Sequence, residues 1–547
     1  SWVSILPPLI VLIVGFFTKR ITLSLFIGVV VAAAIASNFS PIEMISLIEG
    51  RLISNAGLDK VFSIDTFAYA DNFFIIVFVL SLGILIEIIM HSHAATAFVE
   101  FIQGSIKNRK SVETTTLALA HCLSIDDYLS SLTVGSVMRP LTDRFRVPRV
   151  KLAFLTDSMS APLAILTPIS SWAAAIIGFL TENGVHNALQ DDTLLLANPY
   201  SVYLNILPYI FYSISLVISV WLIVRFRISY GLMHDYEMIA EETGNLAGGK
   251  LVGIRSKEPI SKNPHHATII DFLVPLCTLL FSTLFFLFYF GDYVLLGGTN
   301  SLIKTLQNAP IAIVLFFSGI TTLGISTGYF ILNKRFTITE MGLVALDGLK
   351  LMVPVAAILV FCWSMGDLLR ENLKTGEWLA SFFAGSISMT IMPLIIFWNA
   401  TLVSLALGSS WATTAIFLPI ALPMVLAMSG VEAPADIASL PIIFPVFGAI
   451  LSGAVCGDHI SLISSTTIMA TTSSLCDHTD HFKTQFVYSI PVFVGSSIAF
   501  LLSGFLMNIN PTLSLICCLF SAILISASIQ FGLNFRRKYK EKKNKYI

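Results

Sequence analysis

Long apolar blocks alternate with shorter polar segments along the whole chain. Many of these blocks have the length of a helix that crosses a lipid bilayer, which takes about 20 residues. The blocks lie at about residues 2–18, 21–37, 73–91, 150–181, 202–225, 268–290, 310–332, 349–366, 441–473, 486–508 and 511–532. The pattern predicts an all-α polytopic membrane protein with about eleven transmembrane helices.

Two further apolar blocks, 113–138 and 393–428, are interrupted midway by the polar runs SIDDY and GSSWATT. A polar break at the centre favours a re-entrant helical hairpin, which returns to the side from which it entered. If both blocks are hairpins, 27 of the 32 lysines and arginines lie on the side of the basic C-terminal tail, whereas single crossings would divide them equally. Since cytoplasmic loops carry the excess of basic residues, we predict an N-terminus outside and a C-terminus in the cytoplasm.

Composition excludes a soluble globular protein, because 55% of the residues are hydrophobic and only 12% are charged, with a mean hydropathy of +0.83. The seven cysteines show no CxxC spacing, so we interpret them as small residues of membrane helices and not as disulfide partners or metal ligands. The run Gly248-Gly249-Lys250 lacks the upstream glycine of a phosphate-binding loop. The basic tail after Arg536 suits an anionic lipid surface better than nucleic acid. We therefore expect a bilayer as partner, no nucleic acid, no cofactor and no enzymatic activity.

The two hairpins begin two similar stretches of sequence. Pro140 lies 13 residues after Asp127, and Pro423 lies 13 residues after Ser410. Each hairpin is followed by a long helix with a polar interruption, DSMSAP in the first case and GDHISL in the second. Because the first hairpin enters from the cytoplasm and the second from outside, the halves form an inverted-topology repeat, an arrangement that puts substrate near the midplane of the membrane.

This symmetry predicts the domain organisation. The first repeat is predicted at 1–225, with the hairpin 113–138 and the broken helix 150–181. A cytoplasmic connector follows at 226–267, and the second repeat lies at 268–508, with the hairpin 393–428 and the broken helix 441–473. An extra helix with the basic cytoplasmic tail occupies 509–547. We expect the connector to be solvated and to hold no separate domain.

Buried carboxylates are the main candidates for transport chemistry, since acidic residues inside a membrane are costly unless they have a function. A carboxylate that is protonated loses its hold on a cation, and a bound cation favours the ionised form, so a single group can exchange Na+ for H+. We predict Asp157 and Asp458 as the exchanging residues, with Asp127 and Asp126 at the first hairpin tip. Neutral oxygens suit a hard cation, and the candidates are Ser160, Thr167, Ser170, Ser171, Ser409, Ser410, Thr413, Ser461, Ser464, Ser465 and Thr466.

Each candidate also has a structural interpretation. Asp126 and Asp127 can be N-caps of the hairpin's second arm, and Asp157 and Asp458 can cap the second segment of a broken helix. Serine and threonine in membrane helices usually donate to a carbonyl of their own helix, so most of those named can be packing residues.

The histidines divide in the same way. His121 and His459 flank the polar breaks and can titrate near neutral pH, as an exchanger requires, or they can be satisfied membrane histidines. Glu87 is predicted to pair with His91 or His93. His478 and His481 have a spacing that can suit a metal, but they fall in a predicted cytoplasmic loop, 474–485, where solvated polar residues are expected. We predict no metal beyond the transported Na+.

Four runs resemble the signature segments of the NhaC-type sodium/proton antiporter family, within the ion transporter superfamily. They are SIDDYLSSLTVGSVMRPLTDRFRV, DSMSAPLAILTPISSWA, GSSWATTAIFLPIALP and GDHISLISSTTIMATTSSLCDHTDHFKTQFVYSIP. The resemblance implies a secondary transporter of a bacterial cytoplasmic (inner) membrane, with two hairpins and two broken helices in a mobile domain, a homodimeric assembly, and Na+ and H+ as transported or coupling ions. In the last motif the family usually has SPISDTT, whereas here Leu462 replaces the proline and Ser465 replaces the aspartate.

Three functions follow from these patterns. The first is exchange of Na+, or another monovalent cation, for H+. The second is Na+- or H+-coupled transport of an organic anion or amino acid, because serine-rich tips with helix N-termini can hold a carboxylate. The third is a channel, which is disfavoured because broken hairpin units are suited to alternating access.

Overall fold

Helices make up most of the chain in the computed structural model, which describes residues 2–18, 20–61, 64–67, 70–190, 192–250, 267–302, 304–305, 309–383, 388–507 and 509–544. The α-helices before the connector and within it are α1 Leu6–Thr18, α2 Ile21–Ala36, α3 Pro41–Asn55, α4 Leu58–Val61, α5 Ile64–Phe67, α6 Asp71–His91, α7 Ala94–Ile102, α8 Arg109–Cys122, α9 Asp127–Arg144, α10 Arg149–Ser158, α11 Ala161–Ala164, α12 Ser171–Glu182, α13 Pro199–Ile206, α14 Phe211–Phe226 and α15 Gly231–Thr243.

The second half continues the helical architecture. Its α-helices are α16 Ile269–Phe290, α17 Ile311–Leu332, α18 Ile338–Asp367, α19 Thr375–Phe383, α20 Met392–Leu407, α21 Ser410–Ser429, α22 Ile443–His459, α23 Ser465–Ser474, α24 His478–Leu506 and α25 Pro511–Asn544. Short 3-10 turns lie at Trp2–Ile5, Gln103–Ser105, Leu207–Tyr209, Val294–Leu296 and Ile437–Ser439, and a π-turn at Leu368–Asn372 ends α18.

Three two-residue strands link the loops of the two halves. They are β1 Val185–His186, β2 Leu195–Leu196 and β3 Ala435–Asp436. The strands are parallel in the order β1-β2-β3, with Leu195 opposite both Val185 and Ala435. The sheet thus fastens the loop after α12 to the loop after α21.

Eight helices of the described residues are long and apolar enough to cross a membrane. They span 71–91, 211–243, 269–290, 311–332, 338–372, 410–429, 478–506 and 511–543, and shorter apolar helices lie at 2–15, 21–36, 171–182, 392–407 and 443–459. Every predicted apolar block coincides with one or more of these helices. The chain is a multi-pass helical membrane protein.

Several helices start earlier than their apolar blocks, because polar capping residues begin them. Thr337 Oγ1 accepts from the Glu340 backbone N–H at 3.2 Å, a capping box that starts α18 eleven residues before the predicted block at 349. Asp477 Oδ1 accepts from the Asp480 N–H at 3.0 Å and starts α24 at 478 instead of 486. The apolar pattern marks the part of a helix in lipid but not its polar first turns.

The connector was predicted to be solvated, and for part of it this prediction was wrong. Residues 231–243 form α15, in which the Glu237 side chain is buried. The Lys151 ammonium contacts Glu237, as well as Glu113 Oε1 at 3.3 Å, and Arg109 contacts both carboxylates at 3.4 Å. Ion pairing with α8 and α10 therefore compensates the buried charge and holds α15 against them. Residues 251–266 of the predicted connector lie outside the described part.

Both predicted broken helices are interrupted in the structure. The first has three segments, α10, α11 and α12. Pro168 lies in the break between α11 and α12, where a helix cannot continue because the proline nitrogen has no hydrogen to donate. The second consists of α22 and α23, separated by residues 460–464. Gly457 allows the end of α22 to approach α20 closely, since a Cβ there would lie 2.2 Å from the Thr401 carbonyl oxygen.

The halves interlock through these segments. In the first hairpin, Gly135 of α9 faces α23, where a Cβ on the glycine would lie 2.0 Å from Ser473 Oγ. The same Ser473 hydroxyl donates to the Ser131 carbonyl at 2.8 Å. The second arm of the first hairpin is therefore packed on the second segment of the second broken helix.

Candidate functional site

Two helix–turn–helix units, α8–α9 and α20–α21, have polar tips that reach the same buried region. At the first tip Asp126 caps α9, with Oδ1 accepting from the Leu129 N–H at 2.9 Å. At the second tip Ser409 caps α21, with Oγ accepting from the Ala412 N–H at 3.2 Å. The capping interpretation therefore fits Asp126, whereas Asp127 is the first residue of α9 and its carboxylate has other partners.

Asp157 lies one residue before the end of α10, and its side chain is buried. Oδ2 accepts from Thr467 Oγ1 at 3.0 Å and from Gln485 Nε2 at 2.6 Å, and His481 Nε2 lies 3.2 Å away. The hydrogen bonds of this carboxylate are thus with side chains of α23 and α24. Asp157 does not act as a helix cap in the described residues, and instead ties α10 to α23 and α24.

His459, the last residue of α22, forms a second part of this network. Its Nε2 is 3.0 Å from Ser158 Oγ, and its Nδ1 is 2.9 Å from the Tyr212 hydroxyl and 3.3 Å from Ser489 Oγ. Gln485 donates to the His459 carbonyl as well as to Asp157. The imidazole is therefore buried and adjacent to the acidic residues, which is where a proton-responsive group would have to lie. Its pH-sensing role stays a prediction.

Asp458 occupies in α22 the position that Asp157 occupies in α10, one residue before the helix end. Its Oδ2 accepts from Ser410 Oγ at 2.8 Å. Its Oδ1 is buried and has no hydrogen-bond partner among the described residues, and the Ser464 side chain lies close to the carboxylate. The carboxylate is within electrostatic range of both Asp157 and Asp127. A buried carboxylate oxygen without a donor is costly, so this atom marks a place for a proton or a cation.

Asp127 contacts one ring of a tryptophan pair. Its Oδ2 accepts from the Trp172 indole Nε1 at 3.2 Å. The Trp172 ring packs against the Trp411 ring with centroids 4.5 Å apart. The residue before Trp172 also contacts the hairpin tip, since the Ser171 N–H donates to the Ile125 carbonyl at 2.9 Å. The first hairpin tip, the start of α12 and the start of α21 thus meet at one point.

The predicted neutral oxygens divide into those that contact the acids or their surroundings and those that serve the backbone. Ser410 Oγ donates to Asp458 Oδ2 at 2.8 Å, while Ser464 also lies close to the Asp458 carboxylate and Ser171 close to the Asp126 carboxylate. Residues with a hydroxyl that donates to a backbone carbonyl are Ser160, Thr167, Ser170, Thr413 and Ser461. In the remaining group Ser464 pairs with Thr466 at 2.9 Å, Ser465 lies 3.3 Å from the Tyr128 hydroxyl, and the buried Ser171 side chain lies close to Asp126.

Sequence reasoning missed four residues that contact the acids: Trp172, Thr467, His481 and Gln485. The prediction that His481 lies in a solvated loop was wrong, because α24 begins before it and the side chain is completely buried. His481 and Gln485 are four residues apart on one face of that helix, which was the available signal. His121 lies on an exposed position near Trp221 and not beside the acids. Glu87 pairs with His91 at 3.0 Å.

A polar cavity of 460 Å³ lies at the other end of α12. Its lining includes Lys60, Asn72, Glu182 and Asp192, and Asn72 Nδ2 donates to Glu182 Oε1 at 2.7 Å. In the loop after α12, the hydrogen bond from His186 holds the pKa of Asp192 at about 2. A helix of 12 residues is about 18 Å long. Ile177 and Gly178 also line it, so the cavity reaches the middle of α12, about 9 Å along the helix from the acidic site.

No group of three or more His, Cys, Asp or Glu residues in the described ranges is arranged to hold a metal ion. The oxygens near Asp458 and Asp157 come from carboxylates and hydroxyls, which are ligands for a hard cation. Buried carboxylates at the breaks of two helices, inside a multi-pass membrane protein, are typical of a secondary transporter.

Comparison with known proteins gives the family. A sequence profile of the Na+/H+ antiporter family matches residues 163–505. An uncharacterized protein of Haemophilus influenzae is 30% identical over 509 residues, which cover 92% of this chain and 91% of that protein. The chain belongs to the Na+/H+ antiporter family, as its motifs predicted. It is a secondary transporter and not an enzyme.

Two further proteins show more limited similarity. The malate-2H(+)/Na(+)-lactate antiporter of Bacillus subtilis is 31% identical over 199 residues, which cover 36% of this chain and 38% of that protein. The crystal structure of the YdaH transporter of Alcanivorax borkumensis is 16% identical, with a TM-score of 0.47, and the match covers 86% of this chain and 89% of the other.

Proposed function

We propose that this protein exchanges Na+, or another monovalent cation, for H+ across a bacterial cytoplasmic membrane by alternating access. The observation that carries the proposal is the unpartnered Oδ1 of Asp458, buried within electrostatic range of Asp127 and Asp157. Among the described residues no lysine or arginine forms an ion pair with any of these three carboxylates. A mobile cation or a proton is therefore the natural partner of the cluster.

Competition for the carboxylates gives the exchange. When a cation lies on Asp458, the Ser410 hydroxyl can turn its oxygen toward the ion, because the hydroxyl both donates and accepts. A proton on the same carboxylate removes the charge that holds the ion, so release of one species favours binding of the other. Asp157 differs, since its Oδ2 already has several protein donors. We assign it the role of holding negative charge at the site while joining α10 to α23 and α24.

The proposed topology has about eleven spans, with α8–α9 and α20–α21 as re-entrant hairpins of two inverted repeats, 1–225 and 268–508. It is supported by the tips, since Asp127 of the first tip accepts from Trp172, and Trp172 packs against Trp411 of the second tip. We propose an N-terminus outside, a cytoplasmic C-terminus and a homodimer. In a variant without native cysteines, a cysteine at Arg144 should react with a label only from the cytoplasmic side, and reaction from outside would contradict the hairpin arrangement.

Transport is tested with purified protein in proteoliposomes that carry an imposed pH gradient and a trapped pH dye. Addition of Na+ should dissipate the gradient, and the same amount of choline chloride should not. Asp157→Asn and Asp458→Asn should each abolish the Na+-dependent signal. Glu87→Gln is the matched control, because Glu87 is a carboxylate of α6 that forms an ion pair with His91 and not with the cluster. Wild-type exchange in both asparagine variants would refute the carboxylate mechanism.

Exchange of small organic anions is a second candidate, favoured by the similarity to the malate-2H(+)/Na(+)-lactate antiporter. The N-termini of α12 and α21 lie at the acidic site and can hold a carboxylate of the substrate. Proteoliposomes loaded with radiolabelled malate discriminate the candidates. Efflux that requires external lactate and Na+ would support organic anion exchange, whereas a Na+-driven change of pH without any organic solute supports cation/proton exchange.

A further inference from the structure

The run Ser-Ser-Trp-Ala occurs twice in the chain, at 170–173 and 409–412. The first copy opens α12, which belongs to a broken helix, and the second opens α21, which belongs to a hairpin. In both copies the first serine is the N-cap: Ser170 Oγ accepts from the Ala173 N–H at 3.1 Å, and Ser409 Oγ accepts from the Ala412 N–H at 3.2 Å. Two different elements therefore present a tryptophan in the same first-turn position.

The two tryptophans contact each other where the halves of the protein meet. Their ring centroids are 4.5 Å apart with an angle of 30° between the planes, and 1% of Trp172 and 7% of Trp411 is exposed. Aromatic pairs at this distance stabilise a contact beyond the burial of their area. The pair thus holds the starts of α12 and α21 together beside the acidic residues.

The two indoles differ in their polar contacts. Trp172 Nε1 donates to Asp127 Oδ2 at 3.2 Å. For Trp411 no bond from the indole to a carboxylate is recorded in the described residues. Its neighbour Ser410 donates to Asp458 instead. The same sequence therefore supplies an indole donor to one acid and a hydroxyl donor to another.

This difference has a chemical consequence. A hydroxyl can rotate and offer its oxygen to an incoming cation, whereas an indole N–H can only donate. While the Trp172 N–H points at Asp127, its positive end occupies the position that a cation needs on Oδ2. In a buried site of low dielectric this competition is strong.

We propose that Trp172 sets the affinity for the transported cation, because its indole N–H competes with that cation for Asp127. This inference rests on the proposed cation exchange and adds a residue to it. Binding of the cation at Asp127 displaces the indole from Oδ2, and the Trp172–Trp411 contact changes with it. Trp172 thereby sets the cation concentration at which the protein works.

The test compares two conservative variants, Trp172→Phe and Trp411→Phe. Both keep an aromatic ring in the pair, but only the first removes a donor from a carboxylate. Exchange is measured in proteoliposomes at alkaline pH, where protons compete least. Trp172→Phe should lower the KM for Na+ about tenfold, the order expected for loss of one hydrogen bond to a charged group. Trp411→Phe should leave the KM within about twofold of the wild type. A purely structural role of the ring pair predicts instead that both variants change the KM equally.

A wild-type or raised KM in Trp172→Phe overturns the inference, and an equal decrease in Trp411→Phe overturns it as well, since ring packing alone would then explain the effect. A second measurement does not depend on transport or on the folding of that variant. The indole N–H signals are followed by NMR in ¹⁵N-tryptophan-labelled protein in detergent. The Trp172 signal is the one that Asp127→Asn shifts, and addition of Na+ or another monovalent alkali cation to the wild type should shift the same signal. If the wild type exchanges no cation for protons, the proposed function fails. The indole titration still tests whether a cation competes with Trp172 for Asp127, and the absence of a shift with all of these cations overturns that inference.

Discussion

Replacement of Lys151 by methionine tests how strongly the buried ion network fixes the helix that carries Asp157. The Lys151 side chain is 2% exposed, and its ammonium contacts Glu237 and, at 3.3 Å, the fully buried Glu113. Methionine has nearly the same length but no charge, so two carboxylates lose a cationic partner without a large change in packing. Asp157 lies six residues further along α10, about 9 Å away.

The magnitude follows from burial. Removal of one partner from a buried ion pair destabilises a protein by about 3–5 kcal/mol, because the remaining charge stays without compensation. Arg109 still contacts both carboxylates at 3.4 Å, so we expect the lower end, about 3 kcal/mol. Lys350→Met is the matched control, since Lys350 pairs with Asp347 at 2.8 Å but its side chain is 75% exposed. Such surface pairs contribute less than about 1 kcal/mol.

The assay is reversible unfolding of the purified protein in mixed micelles with increasing SDS, followed by tryptophan fluorescence. Lys151→Met should unfold at a clearly lower SDS fraction than the wild type, and Lys350→Met should unfold with the wild type. The double variant Lys151→Met/Glu237→Gln should recover part of the loss, because the uncompensated carboxylate is gone. Equal midpoints for Lys151→Met and Lys350→Met, or fully additive losses in the double variant, would refute the role of the network.

Two further predictions concern packing and polar contacts. Gly135→Ala should destabilise the protein by about 1–3 kcal/mol, because the new Cβ would lie 2.0 Å from Ser473 Oγ. Gly324→Ala is its control in the same SDS titration. It should be neutral or slightly stabilising, because a Cβ at Gly324 would meet open space. Gln485→Leu should lower Na+/H+ exchange in proteoliposomes at least tenfold, because Asp157 and the His459 carbonyl lose a shared donor. Gln530→Leu is its control: the Gln530 amide is buried without a partner among the described residues, so the variant should exchange normally and be at least as stable. Normal exchange by Gln485→Leu, or loss of stability in Gln530→Leu, would contradict these assignments.

The positions of the helices could be predicted because hydrophobicity is a local property of the chain. A run of apolar residues predicts a membrane helix whatever its neighbours are, and all the predicted blocks are helical. The breaks at Asp157 and Asp458 were also predictable, because polar residues and prolines inside such blocks are rare. Where polar caps extend a helix, as at Thr337 and Asp477, the apolar pattern began after the true start of the helix.

The contacts of the acids could not be predicted in the same way, because they join segments far apart in sequence. The donors to Asp157 come from residues more than 300 positions away. His481 was placed in a solvated loop because the residues around it are polar, yet its helix is buried against α10. Hydropathy is an average over the residues of a segment, so it does not show which polar face of a helix packs against a buried partner.

The sequence by itself determined a multi-pass helical membrane protein with two interrupted helices, two polar-tipped hairpins and acidic residues at the interruptions, since each of these depends on neighbouring residues in the chain. Only the tertiary structure decided which acid has which partner: Asp157 with Thr467, Gln485 and His481, Asp458 with Ser410, and Asp127 with Trp172. The physical reason is that a buried charge is stabilised by donors within about 3 Å, and those donors are brought together only when both halves of the chain have folded around them.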